Sequence, residues 1–255
     1  QYGSYPYPAR RERNRRKQAC ITSETLLQQS KPSRAPAHSR AGAIGMEFAT
    51  MYAGFGSKVT LLETGSRFMP KADRDIAESM LESLKRKGIE IRLNAYALSV
   101  YDTADGITLT YTDNSDNTPY FWEGDALLLA TGRRPMTDGL NLHAAGIRTD
   151  TRGALIVNEH LQTTAPHIWA MGDVRGGALY DYLSLDDFRI ITNRLSAIKS
   201  EKPMTGFRFH MFIFTDPPLA QNRHDRRGSR KTRLVRFKCP GCRLPPYRVP
   251  VPCSR

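Results

Sequence analysis

One apolar run of the chain ends in a glycine followed by an acid. Residues 163–171 lead through Trp169 into Gly172-Asp173. In α/β proteins, an acid just past a short strand, behind a glycine that allows close backbone approach, holds a chain of hydroxyl groups at the carboxyl edge of the sheet. The run therefore predicts a nucleotide-binding α/β fold, with Gly172 and Asp173 as candidate binding residues.

A second apolar run, residues 125–129, leads into Ala130-Thr131-Gly132-Arg133-Arg134-Pro135. The order Ala-Thr-Gly-Arg-x-Pro followed by Ala-x-Gly-Asp resembles the flavin-dependent pyridine nucleotide-disulfide oxidoreductases, which include glutathione reductase, mercuric reductase and dihydrolipoamide dehydrogenase. The resemblance implies FAD and NAD(P)H as cofactors, with hydride transfer from NAD(P)H to FAD and then to a disulfide or another oxidant. The segment Ser184-Leu185-Asp186-Asp187-Phe188-Arg189 most resembles the mercuric-reductase-like branch associated with resistance to reactive chlorine species.

The positive charge of the chain is confined to its two ends. The net charge is +13, but residues 1–40 carry +7, residues 41–200 carry −4 and residues 201–255 carry +10. Both ends are rich in Arg and Pro and lack hydrophobic periodicity, so we expect them to be largely irregular. An arginine-rich arm that binds nucleic acid is the functional alternative, but no helix-turn-helix, RNA-binding or zinc-finger pattern accompanies it. Family-like fragments inside these ends, such as 22–27 and 212–220, suggest instead out-of-frame translation of a truncated family member.

The sequence indicates neither a membrane protein nor a metal site. The first residues lack the apolar core of a secretory signal, and no run reaches the roughly 20 apolar residues of a membrane span, so we expect a cytoplasmic protein. The cysteines are Cys20, Cys239, Cys242 and Cys253. The pair Cys239 and Cys242 has zinc-ligand spacing but no second pair of ligands, so we assign no metal.

A dinucleotide fingerprint begins the well-patterned middle of the chain. Gly42-Ala43-Ile44-Gly45 supplies the second and third glycines of Gly-x-Gly-x-x-Gly, whereas Arg40 stands at the first position. In this motif the second glycine lets the backbone approach a pyrophosphate, and the third allows close packing of helix on strand. Arg40 puts the tight turn in doubt. The two prolines within 31–39 predict that the strand before the loop is missing.

An acid follows the next strand at the spacing that dinucleotide-binding folds use. A helix from Ala43, with Ile44, Phe48, Met51 and Tyr52 on one face, leads to a strand over 58–62, and Glu63 comes 18 residues after Gly45. A carboxylate there accepts hydrogen bonds from the adenosine ribose and repels a 2′-phosphate, which favours NAD(H) over NADP(H). The alternative is that Glu63 only caps a surface loop, and the nearby Arg67 weakens the discrimination.

The remaining periodicity completes a Rossmann-like domain with a β-meander. A helix is predicted over 73–87, ended by Gly88, followed by strands over 89–93, 97–100 and 107–111. We expect strands over 155–157 and 168–170 to return to a flavin domain. The fold class is therefore α/β. The predicted divisions are an irregular basic segment (1–40), an NAD(P)-binding domain (41–124), the C-terminal part of an FAD-binding domain (125–198) and a degraded dimerisation-domain start with a basic tail (199–255).

The resemblance gives further roles to three residues. Gly132 would lie against the nicotinamide side of the cofactor, and Asp173 would accept hydrogen bonds from the flavin ribityl chain, unless it is a turn or capping aspartate. Asp181 stands where the family usually has Thr, beside a helix N-terminus that faces the flavin pyrimidine ring. The redox disulfide and the first FAD-binding half are absent, so no catalytic residue is assigned. A catalytically inactive nucleotide-binding fragment is therefore the main alternative to an active oxidoreductase. The family is homodimeric, but the dimerisation domain here is degraded.

Overall fold

The structure, a computed structural model, describes residues 4–6, 20–113, 116–177, 179–196, 209–223, 232–236 and 248–252. The Cys239/Cys242 pair, the Arg-rich run 10–17 and most of the basic tail lie outside these residues. Regular elements do occur within the ends that were expected to be irregular, because short stretches there pair with other strands.

The described residues contain strands and helices in the following order. The strands are β1 (Ser4–Pro6), β2 (Cys20–Ile21), β3 (Pro36–Ser39), β4 (Thr60–Leu62), β5 (Glu90–Arg92), β6 (Ala95–Asp102), β7 (Ile107–Asp113), β8 (Pro119–Gly124), β9 (Ala126–Leu129), β10 (Arg133–Pro135), β11 (Phe209–Ile213), β12 (Leu219–Arg223), β13 (Thr232–Arg236) and β14 (Arg248–Pro252). The helices are α1 (Ser23–Leu26), α2 (Ala43–Gly54), α3 (Arg74–Arg86) and α4 (Asp181–Leu195), with a 3₁₀ helix at Gly172–Arg175.

The chain forms two compact units. The first, which we call the N-terminal unit, contains the described residues from 20 to 132 together with 212–220. The second, the C-terminal unit, includes Arg133 to residue 196. The predicted boundary at residue 125 was therefore wrong. Strand β9 hydrogen-bonds to both β2 and β3, which places it inside the N-terminal unit.

A parallel sheet of five strands forms the centre of the N-terminal unit. Its strand order is β2-β9-β3-β4-β5, so β3 lies in the middle. The prediction that this strand is missing was wrong. Pro36 is the first residue of β3, a position where a strand tolerates the missing N–H, and only three residues follow it before the loop. Ala37 and His38 are fully buried.

The polar side chain at the end of the central strand, Ser39, is satisfied within the sheet. The Ser39 hydroxyl donates to the carbonyl of Leu128 over 2.9 Å and accepts from the N–H of Ala130 over 3.2 Å. These two bonds join the carboxyl ends of β3 and β9. A hydroxyl-bearing residue at the end of a buried central strand is thus tolerated, because its polar atom finds partners on the neighbouring strand.

Helix α2 covers one face of the sheet. Its buried residues include Gly45, Met46, Ala49 and Tyr52, whereas the predicted inward residues Ile44, Phe48 and Met51 are half-buried. Only Tyr52 of the predicted face is fully buried. Gly45 packs closely against the Arg40 carbonyl and the Leu61 side chain, and this contact sets which side of the helix faces the sheet.

Helix α3 agrees more closely with its predicted span. It runs from Arg74 to Arg86, with Asp73 and Lys87 as caps, and Gly88 follows at φ 78°. Its buried residues are Ala77, Met80, Ser83 and Leu84.

An antiparallel meander covers the opposite face of the sheet. Strands β6, β7 and β8 form this three-stranded sheet, and β8 is a strand that the sequence pattern had not identified. Leu109, Tyr111 and Trp122 pack with Ala37 and Leu62 in one core cluster. Because successive strand residues point to opposite faces, Ala37 faces the meander while His38 faces α2.

The C-terminal unit contains short turns around a small core. Ile147, Leu155, Ala165, Ala170 and Val174 form that core. The strands predicted over 155–157 and 168–170 are only isolated bridges, Thr149 to Leu155 and Gln162 to Trp169.

Backbone hydrogen bonds explain why longer strands do not form there. The N–H of Leu155 donates to the carbonyl of Val174 over 3.0 Å, and the N–H of Gln162 donates to the Asn158 side chain over 3.0 Å. Turn contacts and a side-chain oxygen thus take N–H groups that a longer ladder would need.

Candidate nucleotide site

The glycine loop between β3 and α2 uses its two glycines for different reasons. A Cβ on Gly45 would lie 2.1 Å from the carbonyl oxygen of Arg40, so the close approach of helix to loop requires glycine. Gly42 is the N-cap of α2 at an ordinary φ of −81°, and a Cβ there would meet no atom within 4 Å. The fold therefore needs Gly45, while Gly42 leaves open space in front of the helix N-terminus.

Arg40 occupies the first glycine position in a glycine-like conformation. Its φ is 106°, a backbone conformation that residues with a Cβ rarely adopt. Its N–H donates to the carbonyl of Leu62 over 2.7 Å, and one guanidinium nitrogen donates to the carbonyl of Thr131 over 3.0 Å. The tight turn is thus kept although the glycine is absent.

Glu63 follows β4 immediately and contacts the glycine loop. One carboxylate oxygen accepts from the N–H of Ala41 over 3.0 Å, and the other accepts from the N–H of Gly65 over 3.0 Å. The carboxylate therefore binds backbone N–H groups of two loops, which is the capping role that the sequence analysis gave as the alternative to ribose binding. The oxygen bound to Gly65 also accepts from the Thr64 hydroxyl over 3.3 Å, whereas the oxygen bound to Ala41 has a second lone pair that can accept a hydroxyl group of a ligand.

Strand β9 ends beside the glycine loop. The N–H of Ala130 binds the Ser39 hydroxyl, and Gly132 follows as an exposed residue with φ 124°. The carboxyl ends of β3, β4 and β9 thus meet at one edge of the parallel sheet. Of the predicted site residues, Gly42, Ala43, Ile44, Gly45, Glu63 and Gly132 belong to this edge of the N-terminal unit.

His38 lies beneath the glycine loop, and the sequence reasoning did not select it. Its Nδ1 lies 3.0 Å from the carbonyl oxygen of Gly45, and its ring is edge-on to Tyr52 with centroids 6.2 Å apart. Because a carbonyl only accepts, Nδ1 carries the proton, and Nε2 is buried without a hydrogen-bond partner. Burial lowers the pKa of His38 from 6.5 to about 4, so the ring is neutral.

The Gly172-Asp173 turn belongs to the C-terminal unit. Gly172 has φ 74°, and Asp173 is half-buried in the 3₁₀ helix that starts there. The N–H of Gly172 donates to a carboxylate oxygen of Asp187 over 2.9 Å. That carboxylate also receives two bonds from the Arg175 guanidinium, over 2.6 and 3.0 Å.

The ion pair between Arg175 and Asp187 was missed by the sequence reasoning. The side chains of Asp187 and Arg175 are 2% and 12% exposed, so the pair is nearly removed from water. One signal was available. Asp187 lies four residues after Leu183 and three before Ile190, on the buried face of a helix. A charged residue at such a position requires a buried partner.

Asp181 is the first residue of α4 and is exposed. An acid in the first turn is favoured by the partial positive charge of a helix N-terminus. Tyr180 and Tyr182 stack beside it with ring centroids 5.4 Å apart, and burial raises the pKa of Tyr182 to about 12. Asp181 is thus at the helix start that the resemblance implied.

Comparison with known proteins assigns the family. The sequence profile described as pyridine nucleotide-disulphide oxidoreductase matches residues 10–199, which is more than half of the chain. This chain belongs to the pyridine nucleotide-disulphide oxidoreductases. The family and the α/β fold expected from the sequence are therefore confirmed, and FAD and NAD(P)H are the cofactors that members of this family use.

Individual relatives agree with that assignment. The chain is 41% identical over 182 residues to the probable pyridine nucleotide-disulfide oxidoreductase RclA of Escherichia coli, an alignment that covers 71% of this chain and 40% of RclA. It is 38% identical over 179 residues to dihydrolipoyl dehydrogenase of Geobacillus stearothermophilus, which covers 70% of this chain and 37% of that enzyme.

A solved structure of a family member resembles the fold closely. The HOCl-induced flavoprotein disulfide reductase RclA from Escherichia coli superposes with a TM-score of 0.81 at 32% identity, covering 92% of this chain and 54% of that one. The chain spans about two fifths of the length of the curated relatives it matches.

Across the residues that the structure describes, no cluster of three or more His, Cys, Asp or Glu side chains is arranged to hold a metal ion. Within the same residues, no helix is both long and apolar enough to cross a bilayer.

Proposed function

We propose that the N-terminal unit binds a pyridine dinucleotide at the carboxyl edge of its parallel sheet. The observation that carries the proposal is the open space at Gly42, where the fold itself does not require glycine. A bare backbone beside the free N–H groups of a helix N-terminus suits a pyrophosphate, because the anion can approach the amides closely. Family membership supplies the nucleotide class.

We infer a preference for NAD(H) over NADP(H). Glu63 stands at the end of β4 with its carboxylate oriented by Ala41 and Gly65, which prepares it to accept ribose hydroxyls. A 2′-phosphate at that point would meet the negative charge of Glu63. Arg67 is exposed four residues later, and its positive charge reduces the discrimination between NAD(H) and NADP(H).

We assign the Gly172-Asp173 turn to the flavin, with Asp173 accepting hydrogen bonds from ribityl hydroxyls. The support is the resemblance together with the Asp187 bond that orients Gly172. The exposed Asp181 would place negative charge near the pyrimidine ring and oppose a reduced, anionic flavin. When both groups are bound, NAD(P)H supplies a hydride and FAD accepts it. The solved relative is named a disulfide reductase, so we propose a disulfide or similar oxidant as the final acceptor.

The second candidate is a nucleotide-binding fragment without catalysis. It is favoured by the coverage, since the chain matches only 40% of the length of RclA. The homodimer that the family forms, and the cytoplasmic location expected from the sequence, both stay predictions for this chain.

Isothermal titration of the purified chain with NADH and NADPH tests the nucleotide proposal. We expect Gly42→Ala to weaken NADH binding at least tenfold, because the added methyl group would occupy the space next to the pyrophosphate. Gly54→Ala is the matched control at the other end of α2, where a Cβ also meets no atom. If Gly42→Ala binds NADH as tightly as the control, the site is not at this loop.

Flavin absorbance separates the enzyme from the inactive fragment. A chain that purifies with bound FAD, or takes it up on titration, and then reduces it with NADH is an oxidoreductase in its own right. A chain that binds NADH but takes up no FAD is a nucleotide-binding fragment. Asp173→Asn should weaken any FAD binding without changing the affinity for NADH.

A further inference from the structure

Arg40 brings a cation to a position where the dinucleotide fingerprint has a bare glycine. The fold alone does not favour an arginine here, because φ of 106° is costly for a residue with a Cβ. The neighbouring backbone nevertheless holds this conformation through the bond of Arg40 N–H to Leu62. The arginine therefore has a defined conformation in the loop that begins the proposed nucleotide site.

The side chain of Arg40 extends along the carboxyl edge of the sheet. It starts at the end of β3, and its guanidinium hydrogen-bonds to the Thr131 carbonyl just past β9. Among the described residues this is its one side-chain hydrogen bond that the structure records. A guanidinium has five N–H donors, so most of them remain available to an anion while the tether to Thr131 is kept.

The surroundings of Arg40 favour an anionic ligand. Gly42 and the N-terminus of α2 lie two residues further along the loop, and their free N–H groups carry partial positive charge. Glu63, the carboxylate that contacts this loop, is already bound to the N–H groups of Ala41 and Gly65. We propose that Arg40 is a side-chain ligand of the pyrophosphate, which supplements the backbone amides of the glycine loop with a formal charge.

This inference rests on the proposed nucleotide site and adds a specific consequence. Binding through a formal charge on an exposed side chain is weakened by salt, whereas binding through backbone amides and a dipole depends on it less. The affinity of this chain for dinucleotides should therefore fall with ionic strength, and Arg40 should account for that dependence.

The test compares Arg40→Gln with the wild-type chain by titration with NADH and with ADP-ribose. Glutamine removes the charge and, because its amide nitrogen ends two bonds short of the guanidinium nitrogen, also the tether to Thr131; Arg40→Lys, which keeps the charge, separates the two effects. We expect about tenfold weaker binding of both ligands and a flatter salt dependence, because both ligands contain the pyrophosphate. Arg40→Lys should recover part of the loss. Arg86→Gln, an exposed arginine at the end of α3, is the control and should bind as the wild type does.

Several results would overturn the inference. Unchanged affinity in Arg40→Gln would do so, and so would a loss for NADH alone, which would locate the contact at the nicotinamide half. Tighter binding by Arg40→Gln would mean that the arginine obstructs the site. If the wild-type chain binds neither ligand, the proposed function fails as well, whereas tight wild-type binding without an effect at Arg40 refutes only this inference.

Discussion

His38 should make the stability of the N-terminal unit depend on pH. The ring is fully buried in the central strand and donates its Nδ1 proton to Gly45. Protonation would add a charge at Nε2, which is buried and has no acceptor in contact. Burial therefore lowers the pKa of His38 to about 4 in the folded state, against 6.5 in an unfolded chain.

The direction of the pH effect on the free energy of unfolding follows from the number of protons that each state binds. Between pH 6.5 and pH 4 the unfolded chain binds a proton at His38 and the folded chain does not, so acidification favours unfolding. Each pH unit in this window changes the free energy of unfolding by about 1.4 kcal/mol. The contribution is complete above pH 6.5, and about 3 kcal/mol of it is lost by pH 4.

Tryptophan fluorescence can report this unit alone. The chain has two tryptophans, and Trp122 is 8% exposed in the core of the N-terminal unit, with its indole N–H bound to Thr60. Replacing Trp169, which belongs to the C-terminal unit, by Phe leaves Trp122 as the only reporter. Urea unfolding at pH 7.0, 5.5 and 4.5 then gives the free energy of unfolding of the relevant unit.

The decisive comparison is His38→Leu in the same background. Leucine fills a buried site without titrating, so the variant should lose less stability between pH 7.0 and 4.5 than the parent, by about 2.5 kcal/mol. His143→Leu makes the same change at an exposed site and should keep the parent's pH dependence. If the free energy of unfolding changes with pH equally in the parent and in His38→Leu, then His38 is not a buried neutral histidine in the folded state.

Two further predictions concern stability. Gly45→Ala should destabilise the N-terminal unit by about 1–3 kcal/mol, because its Cβ would lie 2.1 Å from a backbone oxygen; Gly54→Ala should not, and urea unfolding followed by Trp122 fluorescence compares them. Equal stabilities would contradict the close approach. Asp187→Asn should destabilise the C-terminal unit by about 3–5 kcal/mol, since it leaves the Arg175 charge buried without a counter-charge. Asp138→Asn breaks an exposed pair in that unit and should cost less than about 1 kcal/mol; similar thermal melting of these two variants would mean that the buried pair does not hold the turn.

Local patterns predicted the elements that depend on neighbouring residues. The apolar spacing of α3 and the glycine after it set both ends of that helix to within a residue or two. Glu63 directly follows β4 for the same reason, because the helix and the strand before it are both marked by local patterns. Such features follow from hydrophobic period and turn chemistry, which a single sequence displays.

Features that depend on distant partners were predicted poorly. The segment 36–39 contains a proline and two polar residues, and nothing local marks it as the centre of a sheet. It becomes a strand because β9 and β4 offer hydrogen bonds on both sides and Ser39 reaches Leu128 and Ala130. For the same reason the predicted boundary at residue 125 divided β9 from the sheet that it completes.

The sequence by itself determined the family, the cofactors that the family uses and the residue types at the proposed binding sites, because these are carried by short motifs such as Gly42-Ala43-Ile44-Gly45 and Gly172-Asp173. Only the tertiary structure decided how those motifs are supported. The buried His38, the Arg40 tether to Thr131 and the Arg175–Asp187 pair join residues from different elements. Their energies come from burial and from hydrogen bonds that exist only once the chain has folded, so no local pattern could have revealed them.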